Sequence, residues 1–476
     1  MKGLWGYIFF FFVSIGIFLL GISRIFPHLW KMNDTQSITP VDMIEPTNVP
    51  AYTVEVIAPN ENNVTATEKK QRATAFFTQG SYSNAIKDLQ EILSVSPDDQ
   101  DSWKMLMESH IARRDFTEAE KIASEYLKKF PADTDMQMRR GEILILKGDF
   151  SAAQTAFGAL APENAARIFY EGILASYFGD HEKAQEKFKS LSKTSFGEKA
   201  NQLLSAYNEY ALYPDSNENH RRALLSQRYN ALGFYNLTIE MLRPTIEARP
   251  DYRDAWILEG YAYLSLGKFH TAQNALEKAV SLDPTHKESA YFLGLTLAEL
   301  GLNDQAVIQF KNALANGFTP PKEVEKHLAE TLFRAQQYDE SLQYFEKILD
   351  ADGTTVDDFV RPIWIAIESL KSPDKGIEFG KRAVIKFPES AMAYNLLGWT
   401  LISKGDFTNA EKALEKAKER DATMPAIWLN YGKLRKGQGK KEEALQMFQK
   451  AHEMDKFGSI GSLAAEEYNA LVKNNS

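Results

Sequence analysis

Gly432 and Gly437 stand at the spacing of a phosphate-cradling loop, but Gln438 occupies the position where that chemistry needs a lysine. The match is a coincidence inside a longer pattern. His-Glu-x-x-His, Gly-x-Ser-x-Gly and a dinucleotide fingerprint are all missing from the sequence. The eight histidines, among them His110, His270 and His327, are scattered singly and form no ligand cluster. With no cysteine there is no thiolate metal site, disulfide framework or cysteine nucleophile. The net charge of −9 argues against nucleic acid as a main partner. These residues call for no catalytic centre, cofactor or metal, and binding is the chemistry that remains.

The elements that must position any binding residues are clearest in residues 253 to 286. Apolar and small residues fall at Trp256, Gly260, Tyr263, Gly267, Phe269, Ala272, Leu276, Ala279 and Pro284. This spacing predicts two short antiparallel helices, with Gly267 at the turn and Pro284 ending the second. Gly260 and Ala272 are expected where the helices approach closely, with Trp256, Tyr263 and Leu276 filling the space beside them.

The pattern resembles the tetratricopeptide repeat, a helix–turn–helix unit of about 34 residues. It recurs with starts at Ala66, Gln100, Thr134, Ala165, Asn219, Arg253, Lys287, Lys322, Asp357, Ala391 and Pro425. The second-helix small position reads Ala85, Ala119, Ala153, Ala184, Thr238, Ala272, Ala306, Ser341, Gly376, Ala410 and Ala444. The first-helix small position is nearly as regular, and Met107 and Trp364 depart from it. Glycines recur at the turn, where a left-handed backbone costs them least.

The implied fold is an all-α, tetratricopeptide-type α-solenoid, a right-handed superhelix of helix–turn–helix repeats. Repeats one to four are placed at 66–198, an irregular helical insertion at 199–218, and repeats five to eleven at 219–458. Residues 459–476 supply a capping helix and tail that cover the last apolar surface.

What the resemblance implies for function is a concave surface lined by the first helices, taking peptide or helical segments of partner proteins. The groove positions give Phe169, Ile173, Tyr177, Ile257, Tyr261, Leu264, Tyr291 and Leu295 as the expected contacts. The competing reading is that neighbouring helices bury this wall.

Ahead of the repeats, Gly3 to Ile22 carries no charge and is apolar all round. Twenty residues at about 1.5 Å each match a bilayer core of about 30 Å. Residues 1–22 are therefore expected to be a transmembrane helix, with a cleavable signal peptide as the alternative. Residues 23–65 read as a proline-rich linker. The expectation is a single-pass membrane protein with an extracytoplasmic solenoid, scaffolding an envelope complex. The alternative is a cytoplasm-facing membrane adaptor that regulates an envelope-biogenesis enzyme.

Overall fold

The structure, a computed structural model, describes residues 66–213 and 217–473. Among these residues every regular element is helical, and no helix is longer than 15 residues. Helices this short are marginal alone, so each must bury its apolar stripe on a neighbour. They do so in sequence: Arg253–Ser265 packs on Phe269–Leu282, which packs in turn on Lys287–Glu299.

Local chemistry starts and stops them. Asp115, Asp149, Asp180 and Asp406 cap second helices, each accepting a backbone N–H three residues on. Such a cap is worth about 1 kcal/mol. The turn inside a pair passes through the left-handed region, with φ of 88° at Gly148 and 72° at Gly267. Arg114, Gln336 and Lys371 adopt the same turn at φ of 60°, 61° and 49°, without glycine's freedom.

Side-chain size is balanced across each pair. A Cβ on Gly260 would lie 2.6 Å from Leu276, one on Gly294 2.8 Å from Phe310, and one on Gly141 2.6 Å from Phe157. The close approach at Gly260 is thus to Leu276, with Ala272 fully buried nearby. Where the first position is the large Met107, the residue sixteen further on is the small Ala123. Met107 and Ala123 are both buried. A Cβ on Gly380 would lie 3.1 Å from Leu397 Cα, so this glycine admits the next helix.

The first helix of the repeat from Asp357 is irregular. A 3₁₀ turn at Asp357–Phe359 leads into Val360–Trp364 and then a π-helical Ile365–Ser369. Pro362 withholds a backbone donor and Trp364 brings bulk to a position that is small in most pairs, and the widened turn accommodates both.

Trp256 does not fill the interior as expected. It is only partly buried, and its Nε1 donates to the Pro250 carbonyl at 3.0 Å. Trp103 does the same to Pro97 at 2.9 Å, and Trp428 to Ala422 at 2.9 Å. This fourth position of the repeat ties the first helix to the loop entering it.

In the irregular region, the helix Gly197–Ala211 packs between His181–Ser190 and Glu218–Ala231. Polar side chains fasten it. Tyr207 Oη meets His181 Nδ1 at 3.2 Å, and Arg228 donates to Glu209 at 2.9 Å. Tyr229 is hydrogen-bonded to Ser176, and burial raises the Tyr229 phenol well above its ordinary pKa. At the other end, Ser459–Lys473 packs on Lys441–Met454 and buries Ala464 completely.

Contacts divide the chain into two units. One spans Ser81–Phe318; the other spans 319–473 and takes in residues 66–80.

The membrane expectation requires correction. Among the described residues no helix is long and apolar enough to cross a membrane, so single-pass membrane localisation is not supported. The apolar stretch 3–22 and the linker 23–65 lie outside the described residues.

Candidate partner-binding surface

In the unit 81–318, the first helices bring the expected contact residues together, but into the interior. Phe169 and Ile173 are fully buried, and Ile257, Tyr261, Leu264 and Tyr291 are at most 8% exposed. Tyr177 and Leu295 remain partly exposed. Other rings do the covering. Phe169 has Phe196 at 5.0 Å and Phe188 at 6.1 Å between centroids. Tyr261 has Phe292 at 5.0 Å and Tyr235 at 6.2 Å, and Tyr291 has Phe318 at 4.5 Å. Phe196 comes from the irregular segment and Phe318 from the loop ending a repeat, and neither follows from the repeat pattern. The aromatic wall is therefore largely core.

Most charges on the first helices also have partners within the chain. Arg139 holds Glu108 at 2.7 Å from the preceding first helix and Glu142 at 2.7 Å from its own. Tyr170 donates to Glu142 at 2.5 Å, and burial raises the Tyr170 phenol well above its usual pKa. In the unit 319–473, Arg361 binds Glu330 through Nε at 3.0 Å, and its guanidinium lies 4.5 Å from the Phe333 centroid. Lys322 and Lys326 share Asp358 at 3.6 and 3.4 Å. These pairs link successive first helices.

Lys433 differs. Its side chain is partly buried and makes no hydrogen bond or ion pair among the described residues. Burial lowers its pKa, against the attraction of Glu467 and Glu368. On the preceding first helix, Trp399 is partly exposed at the same repeat position. Between these helices Asn430 Nδ2 donates to Asn395 Oδ1 at 2.9 Å. A cation with no ion pair among the described residues and a partly exposed indole on adjacent first helices can recognise an anionic group on an extended or helical segment. The repeat pattern did not single out Trp399, because an indole at helical spacing reads as core.

A separate cavity of about 590 Å³ lies among helices Pro373–Lys386, Ala391–Lys404 and Phe407–Arg420. Its lysines face Asp374, Glu378 and Asp406, and Lys404 pairs with Asp374. Charge of both signs in one shallow space favours no single ligand.

The tetratricopeptide-repeat family matches three regions: residues 76–140, residues 257–320, and the adjoining stretches 391–424 and 425–457. These segments are tetratricopeptide repeats. Together with the helix pairs between them, they make the described chain an all-α tetratricopeptide solenoid. Among curated proteins, the chain is 24% identical over 242 residues to the BBSome complex member BBS4 of Bos taurus. That match covers 49% of this chain, which spans only 44% of the relative's length. Among solved structures, a tetratricopeptide repeat protein from Parabacteroides merdae is 17% identical with a TM-score of 0.37. It covers 52% of this chain and 99% of that one. The APC/C hetero-tetramer Cut9-Hcn1 is 11% identical with a TM-score of 0.32, covering 86% of this chain and 96% of that one.

Proposed function

We propose that this tetratricopeptide chain is a non-enzymatic scaffold that docks an acidic peptide or helical segment of a partner protein. The docking surface is the first-helix wall of the unit 319–473, around Trp399 and Lys433. One observation carries the reading: among the described residues Lys433 makes no hydrogen bond or ion pair, whereas Arg139, Lys326 and Arg361 each hold a carboxylate. A partly desolvated cation without a partner is costly, and an incoming carboxylate offsets that cost. The bovine relative's membership of a multiprotein complex accords with a scaffold.

In the unit 81–318, Tyr177 and Leu295 are the contact positions left accessible, and Phe169, Ile173, Ile257, Tyr261, Leu264 and Tyr291 support the wall from behind. The test begins by co-purifying a partner with the full chain and mapping the bound segment. That segment is then titrated against Lys433→Glu, Lys433→Arg and Trp399→Ala. Lys433→Glu is expected to weaken binding by at least about tenfold, Lys433→Arg to retain it, and the melting temperature to hold. Equal affinity for wild type and Lys433→Glu removes this surface from the function.

A further inference from the structure

In the unit 81–318, the turns of the early repeats touch elements far along the chain. The helix Thr134–Lys147 packs against Tyr235–Ala248, and Asn236 Nδ2 donates to the Leu146 carbonyl. A Cβ on Gly148 would lie 3.6 Å from Asn236 Cβ. One repeat earlier, the Arg114 guanidinium reaches the turn of the repeat from Arg253, where a Cβ on Gly267 would lie 3.1 Å from Arg114 Nη1. Tyr235, Tyr261 and Glu299 lie within electrostatic reach of Arg114. Further along the same rim, Tyr177 is within reach of Glu240 and Arg243. Repeats do not make these contacts by stacking on their immediate neighbours.

Arg114 is the more telling because it occupies a left-handed turn, φ 60°, where most of the other repeats carry glycine. A long cationic side chain in that conformation costs backbone free energy, and the structure retains it at a cross-repeat contact. A side chain at 267 would have to push the guanidinium aside by a few tenths of an ångström.

We propose that Arg114 and Asn236 form a clasp that holds two arms of this unit, residues 100–190 and 218–316, together at their turn rim. Closed, the clasp seals the wall containing Tyr261; released, it makes that wall accessible to a partner segment. The inference rests on the groove reading for residues 81–318, and its test requires no partner.

The reporter is nitration of Tyr261 by tetranitromethane in the full chain, located by mass spectrometry, with the fully buried Tyr126 as control. Arg114→Gly supplies the residue that the turn itself favours while removing the clasp. It is expected to raise Tyr261 nitration several-fold with Tyr126 unchanged. Because the chain has no cysteine, the pair Gly148→Cys and Asn236→Cys can form one defined disulfide, its Cβ separation falling in the range such bonds adopt. Oxidised, this variant is expected to nitrate Tyr261 more slowly than wild type, and reduction, which leaves the clasp without Asn236, is expected to raise the rate above that of wild type. Tyr261 nitration at the wild-type rate in Arg114→Gly overturns the clasp, as does Tyr126 rising in step with it, which reports general loosening. If Tyr261 opens as expected but a mapped partner segment binds Arg114→Gly no more tightly than wild type, the groove reading for residues 81–318 fails and the clasp stands.

Discussion

In residues 81–318 the ninth position of the first helix carries Ile173 and Tyr261, both buried beneath rings or side chains from other repeats. In residues 319–473 the same position buries Ile365 but carries Trp399 and Lys433, both partly exposed, the latter a cation with no ion pair among the described residues. Both walls are built by the same helix pairs with the same turns. The difference lies in what covers them. Phe196, Tyr235 and Phe318 close over the first wall, and the second wall keeps polar groups at its surface. Repeat geometry therefore sets where a wall runs and leaves its accessibility to the particular rings that arrive to cover it.

The sharpest way to break this comparison is to truncate both walls. Tyr261→Ala is expected to cost about 3–5 kcal/mol, as for a buried aromatic, and Trp399→Ala distinctly less. Urea denaturation of the full chain measures both, and equal losses would erase the distinction. A control separates packing within a pair from covering between repeats. Phe157→Ala alone is expected to cost about 3–5 kcal/mol, and Gly141→Met alone about 1–3 kcal/mol. Combined, they recreate the arrangement of Met107 with Ala123, and the double variant should lie within about 1.5 kcal/mol of wild type. Additive losses in the same denaturation experiment would show that the size balance is not what holds each pair.

Acidification addresses the second unit. Burial, with Lys326 and Arg334 nearby, lowers His327 to about 4 from its ordinary 6.5. Below 6.5 the unfolded chain binds a proton that the folded chain refuses, so stability is full above 6.5 and falls as pH drops towards 4. The ceiling on that loss is about 3 kcal/mol, and His327→Gln should remove this part of the pH dependence. Melting curves at pH 7 and pH 5 for both proteins decide it; parallel losses would place the effect on other groups.

Much of the fold was legible in the residues. Gly260, Gly267 and the turn glycines marked pair geometry, because hard-sphere contact and a left-handed turn leave few substitutes for glycine. Met107 looked like an exception and goes with the small, buried Ala123, whereas Trp364 packs on Phe333 and Gly380 faces Leu397. Trp256 misled, since its spacing suited a core residue and its indole instead anchors a loop through Pro250. The candidate site was legible in position but not in exposure. Phe169, Tyr261 and Tyr291 sit on the first helices as expected, and periodicity carries no information about Phe196, Tyr235 or Phe318 arriving to cover them.

The sequence by itself determined the helix pairs, their turns and the small residues at which they meet, because these depend on neighbours within about 34 residues. Tertiary structure decided which groove positions are buried, which cation has no ion pair among the described residues and where Arg114 lands. Those outcomes depend on side chains separated by several repeats, and the winding that brings them together is the sum of many small angles that no single repeat encodes.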